Sequence, residues 1–73
     1  MEHIWQPHPK NPHYLVLQGS RDSLVRTRAE WNGRYLWQFR DVVSYAESIA
    51  AAKDFVEAGA EFFEMLHRNP YSS

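Results

Sequence analysis

Hydrophobic and polar positions change period once along this chain, near residue 41. Before that point the apolar residues come in short runs with a period close to two. Tyr14-Leu15-Val16-Leu17-Gln18 is rich in branched and aromatic residues and predicts a strand over 14–18. Gly19-Ser20-Arg21-Asp22 predicts a turn. Residues 23–31 alternate and predict a second strand, and residues 34–39 (Arg-Tyr-Leu-Trp-Gln-Phe) a third. Asn32-Gly33 between them is the sequence preferred by a two-residue type I′ hairpin turn. Ahead of the strands, Pro7, Pro9 and Pro12 fix their own φ and push the preceding residues towards extended structure. That reads as an extended Pro-rich arm over residues 1–13.

After residue 41 the period becomes helical. Asp41 offers a cap, and Ser44 with Glu47 a capping box. Tyr45, Ile49, Ala52, Val56, Ala60, Phe63 and Leu66 fall on one stripe, with Asp54, Glu57, Glu61 and Glu64 opposite. His67 and Arg68 suit a helix C-terminus, and Asn69-Pro70 stops it. The expected fold is α+β: a three-stranded antiparallel meander over 14–40, one long helix over 41–68 and a tail over 69–73, all in one small domain of residues 1–73. Such a helix would span ~40 Å, longer than the sheet beneath it. Either it outruns the sheet, leaving Phe55, Phe62, Phe63, Met65 and Leu66 for a second copy or a partner, or it breaks at Gly59.

The turn fixes a register. A two-residue Asn-Gly loop pairs Ala29 with Leu36 and Val25 with Arg40 on one face. It puts Arg26 and Arg28 with Tyr35, Trp37 and Phe39 on the other. Burying unpaired Arg is costly, so the Val25/Ala29/Leu36 face is expected against the helix. Tyr35 and Trp37 would then lie outside beside Arg26 and Arg28, as on a binding surface. The competing arrangement makes the three aromatics core, with the Arg stems along its rim.

Composition narrows the chemistry. A chain of 73 residues without Cys has neither disulfides nor thiolate metal sites. No apolar run approaches the ~20 residues of a membrane helix, and no secretion signal opens the chain. A cytoplasmic, soluble protein is expected, with no membrane partner. His3, His8 and His13 recur every five residues, but on an extended arm they do not converge as metal ligands must. No Gly-x-Ser-x-Gly elbow or Gly-rich phosphate loop is present. Neither metal, cofactor nor catalytic residue is expected, and the chain reads as a non-enzyme.

Charge separates the two halves. Residues 1–40 carry Lys10, Arg21, Arg26, Arg28, Arg34 and Arg40 against Glu2, Asp22 and Glu30. Residues 41–73 carry Lys53 and Arg68 against Asp41, Glu47, Asp54, Glu57, Glu61 and Glu64. A basic sheet and an acidic helix are two potential contact surfaces. The leading expectation is a protein-binding module using Phe55, Glu57, Glu61 and Phe62 on the helix and Tyr35 and Trp37 on the sheet. Regulators, inhibitors and adaptors of phages and mobile elements are often this small, and homodimerisation through the helix end fits the same surface.

The alternative is nucleic-acid binding through Arg26, Arg28, Arg34 and Trp37, since interleaved bases and aromatics can hold phosphates and stack bases. Val25-Arg26-Thr27-Arg28-Ala29-Glu30-Trp31-Asn32-Gly33, followed by Arg40-Asp41, resembles plant ethylene-response DNA-binding domains. The layout is also similar to the arm-binding domains of tyrosine recombinases, which set three strands on one helix. The resemblance implies a DNA-contacting sheet. It is confined to that stretch, and the chain lacks the aromatic-rich strand that the plant domains place before the helix. The net charge of −1 also runs against DNA.

Overall fold

The computed structural model describes residues 3–68, the side chains of His67 and Arg68 excepted. The expected helix end at Asn69-Pro70 and the tail over 69–73 lie outside the described residues, as do the expected roles of the His67 and Arg68 side chains. The fold is α+β, an antiparallel sheet with one C-terminal helix. The sheet has five strands rather than three: β1 (Trp5–Pro7), β2 (Tyr14–Leu17), β3 (Ser23–Arg26), β4 (Tyr35–Phe39) and β5 (Val42–Ala46), each paired with the next in chain order. Helix α1 (Ile49–Arg68) follows and packs over β3 and β4, reaching β5 at its margin.

Two strands were not expected. Part of the predicted arm is β1, which pairs antiparallel with β2 through Trp5↔Leu17 and Pro7↔Leu15. Proline is tolerated there because β1 is an edge strand and the imino nitrogen need not join a ladder. Strand β5 takes the start of the predicted helix. Val42-Val43-Ser44-Tyr45-Ala46 has two β-branched residues and a Tyr, all better suited to a pleated surface. Consequently Asp41 is not a helix cap and Ser44/Glu47 is not a capping box. Ser48 caps α1 instead: its hydroxyl accepts from Ala51 N–H at 3.0 Å and its carbonyl from Ala52 N–H at 2.9 Å. The helix runs without a break through Gly59.

The register also differs from expectation. Gly33 has φ +78°, but Asn32 lacks the positive φ that a type I′ turn requires. Gly33 N–H instead donates to Glu30 C=O at 2.8 Å, and Glu30 N–H to Arg34 C=O at 2.7 Å. This is a three-residue loop, Trp31-Asn32-Gly33, with glycine at its left-handed position. Beyond it β3 and β4 pair as Ser23↔Phe39, Leu24↔Gln38 and Val25↔Trp37. The odd shift relative to Val25 opposite Arg40 exchanges the faces of β4 against β3.

One side of the sheet therefore carries the row Trp5, Leu17, Ser23, Phe39, Val42 and the row Pro7, Leu15, Val25, Trp37, Ser44. This side meets the helix. Val25, Val56 and Ala52 are fully buried, with Leu17 and Ala46 beside them and Trp5, Trp37, Phe39, Ile49 and Ala60 packed around. The expected Val25/Ala29/Leu36 face does not exist: Leu36 points the other way, and Tyr35, Trp37 and Phe39 share Val25's side. Of the predicted helix stripe, Ile49, Ala52, Val56, Ala60 and Phe63 are at least partly buried, whereas Tyr45 lies in β5 and Leu66 is exposed. Ser23, the buried polar residue of this layer, is satisfied by Ser20 Oγ at 2.6 Å and Arg21 C=O at 3.2 Å.

Candidate functional site

Helix α1 has two flanks beside the stripe that faces the sheet, and they differ. The flank over β1 is polar and occupied. Trp5 Nε1–H donates to Glu57 at 2.7 Å, His3 Nε2 meets Glu61 at 2.7 Å, and the Lys53 ammonium lies 5.8 Å from the Trp5 ring. The His3 hydrogen bond is the main reason that the Glu61 carboxyl sits below its usual range; the imidazole charge adds to this and desolvation opposes it. Two expected partner-binding acids thus fasten the start of the chain to the helix, Glu57 through Trp5 of β1 and Glu61 through His3 just before it.

The opposite flank points towards β5 and is apolar. Phe55, Phe62 and Leu66 lie along it at i, i+7 and i+11, one helical stripe. Phe55 is 53 % exposed although its ring stacks on Trp37 at 5.4 Å and 13°. Phe62 is 59 % exposed. Val42, Val43 and Tyr45 of β5 are exposed as well. Among the described residues, nine large hydrophobics are exposed, and seven of them belong to β5 or α1.

The proposed sheet residues are not brought together. Trp37 and Tyr35 lie half-buried on the helix side, so Trp37 joins Phe55 and forms no basic-aromatic face. The Trp37 indole N–H is buried and meets no acceptor among the described residues. Arg26 is on the other side of the sheet, beside Tyr14 in the register, and its guanidinium bonds Glu30 at 3.0 Å. Arg28 and Arg34 are exposed in the β3–β4 connection. The four residues proposed for nucleic acid are therefore split between two faces and a loop.

Three features were missed. The face away from the helix is partly apolar and holds a groove of about 330 Å³ lined by His8, Asn11, Tyr14, Leu24, Leu36, Gln38 and Val43. Trp31 is 95 % exposed at the β3–β4 loop tip. Finally, β5 offers an open edge. The Val-Val pair was the only available signal for the last, and the helical period hid it. His3, His8 and His13 are not gathered, and no cluster among the described residues is placed to hold a metal ion. No helix among the described residues is long and apolar enough to cross a membrane. Compared with known proteins, the chain matches no family model, no curated relative and no solved structure.

Proposed function

We propose that this protein is a small non-enzymatic protein-binding module, acting in the cytoplasm as a regulator, inhibitor or adaptor of the kind phages and mobile elements encode. The observation that carries the reading is the apolar flank of α1, where Phe55, Phe62 and Leu66 are exposed along one stripe, with Val42 of β5 exposed on the same side of the sheet. Apolar surface in that concentration favours a partner over bulk water. Phe55, braced on Trp37, and Phe62 are its aromatic anchors, the residue type that dominates interface energetics. Glu57 and Glu61 act at one remove, by holding β1 in place.

The test compares capture of a cross-linked partner by the parent protein, Phe62→Glu and Arg28→Ala, alongside anisotropy with labelled DNA and RNA at low salt. Capture should survive Arg28→Ala and be lost in Phe62→Glu. Saturable nucleic-acid binding with a steep salt slope, abolished by Arg26→Ala with Arg28→Ala, would overturn the reading.

A further inference from the structure

The two edges of the sheet are treated unequally. Edge strands present unpaired main-chain groups, and proteins normally shield them with Pro, charge, brevity or a covering element. Strand β1 has such shielding: three residues, a terminal Pro7, and its Trp5 tied down by Glu57, with His3 just ahead of it held by Glu61. Strand β5 has none within it. Its five residues, Val42–Ala46, contain no charge, Pro or Gly.

The phase of the ladder identifies the open groups. The two-residue Arg40-Asp41 loop closes on the Phe39↔Val42 pair, and Arg40 has φ +54° at its first position. A hairpin of that length closes on a hydrogen-bonded pair, so Val42, Ser44 and Ala46 bond to β4. The N–H and C=O of Val43 and Tyr45 point outward. An incoming strand would also find apolar neighbours on both faces: Val43 and Tyr45 on one, Val42 and the Phe55/Phe62 flank on the other.

Charge selects the occupant. Asp41 and Glu47 bracket the strand, are exposed, and form no ion pair among the described residues. In the register that overlaps the whole strand, a second copy paired antiparallel about Ser44 would set Asp41 opposite the other copy's Glu47 at both ends, which like charges disfavour. A strand with a basic residue at each end fits. The edge already accepts one on its inner side: β4 is bracketed by Arg34 and Arg40, and Arg34 stands across from Glu47, one position beyond Tyr35↔Ala46. We infer that β5 binds an extended segment of a partner protein by strand addition, antiparallel, with apolar residues between two basic ends. This deepens the protein-binding reading and rests on it.

The probe is the blocked peptide Lys-Val-Thr-Val-Thr-Val-Lys, with a Glu-ended counterpart, titrated into the ¹⁵N-labelled protein to millimolar concentration. The Lys-ended peptide should shift the Val43 and Tyr45 amides and bind at least tenfold more tightly than the Glu-ended one. Asp41→Lys with Glu47→Lys should reverse that preference. Val43→Pro removes an outward N–H while sparing the β4 ladder, and should weaken binding more than tenfold with an unchanged circular dichroism spectrum. Unshifted Val43 and Tyr45 amides, equal binding of both peptides, or a free protein that sediments as a dimer with these amides protected would each overturn the inference. Those results together with Phe62-dependent partner capture would leave the binding module standing without strand addition. Loss of Phe62 dependence alone would count against the module reading and not against the edge.

Discussion

Trp37 holds the helix to the sheet at a cost. Its ring stacks on Phe55 of the helix, yet its N–H is buried without an acceptor among the described residues. An orphaned donor of this kind costs about 1–3 kcal/mol. Trp37→Phe should therefore stay within ~1 kcal/mol of the parent in urea denaturation, lost area offsetting the removed donor, whereas Trp37→Ala should lose about 3–5 kcal/mol. Gly59 provides a second steric test. A Cβ there would meet the Phe39 ring at 3.0 Å, so the ring packs where the helix has no side chain. Gly59→Ala gains up to ~1 kcal/mol of helix propensity while pushing the ring back, and should come out near neutral. Gly59→Val should destabilise by about 1–3 kcal/mol through overpacking. The sequence announced Gly59 only as a potential break. Its actual role depends on Phe39 facing it, which no local pattern encodes.

At the scale of elements, α1 begins where Ser48 caps it, and Ser48→Ala should lower stability by ~1 kcal/mol in the same denaturation assay. The sheet-facing stripe from Ile49 to Phe63 was legible because a 3.6-residue period over several turns is hard to mimic. The β2 and β4 segments were legible for the matching reason, dense β-branched and aromatic residues. Strand β5 was not, because Tyr45 happens to continue the helical stripe and the local β preference of Val42-Val43 was outvoted. The β3–β4 register moved by three residues, from Val25 opposite Arg40 to Val25 opposite Trp37: Asn-Gly serves a three-residue loop as well as a two-residue one, the ladder slips further beyond it, and the odd total reverses the faces. With it fell the candidate surface of Tyr35 and Trp37 beside Arg26. Phe55 and Phe62 are exposed on the helix as expected, because their placement depends on the helix alone.

On the scale of the whole molecule, the structure is closed by contacts between its first strand and its helix. Glu61 is held below its usual range by His3, so this contribution is present above the ordinary Glu range and is lost as pH falls through the lowered value. Amide exchange at β1, corrected for intrinsic rates, should accelerate on acidification through that window ahead of exchange at β3 and β4. His3→Ala should raise β1 exchange at neutral pH and flatten the response. The clasp also imposes an order in time. Trp5 waits for a residue 52 positions later and His3 for one 58 positions later, whereas the neighbouring strands of the meander close over short loops. Strand β1 can thus pair with β2 early, but its tie to the helix closes late. A chain interrupted before Glu57 would keep Pro7 and the β1–β2 ladder but not the tie from Trp5, so its first edge would lose one of its shields while β5 stayed as open as in the finished protein.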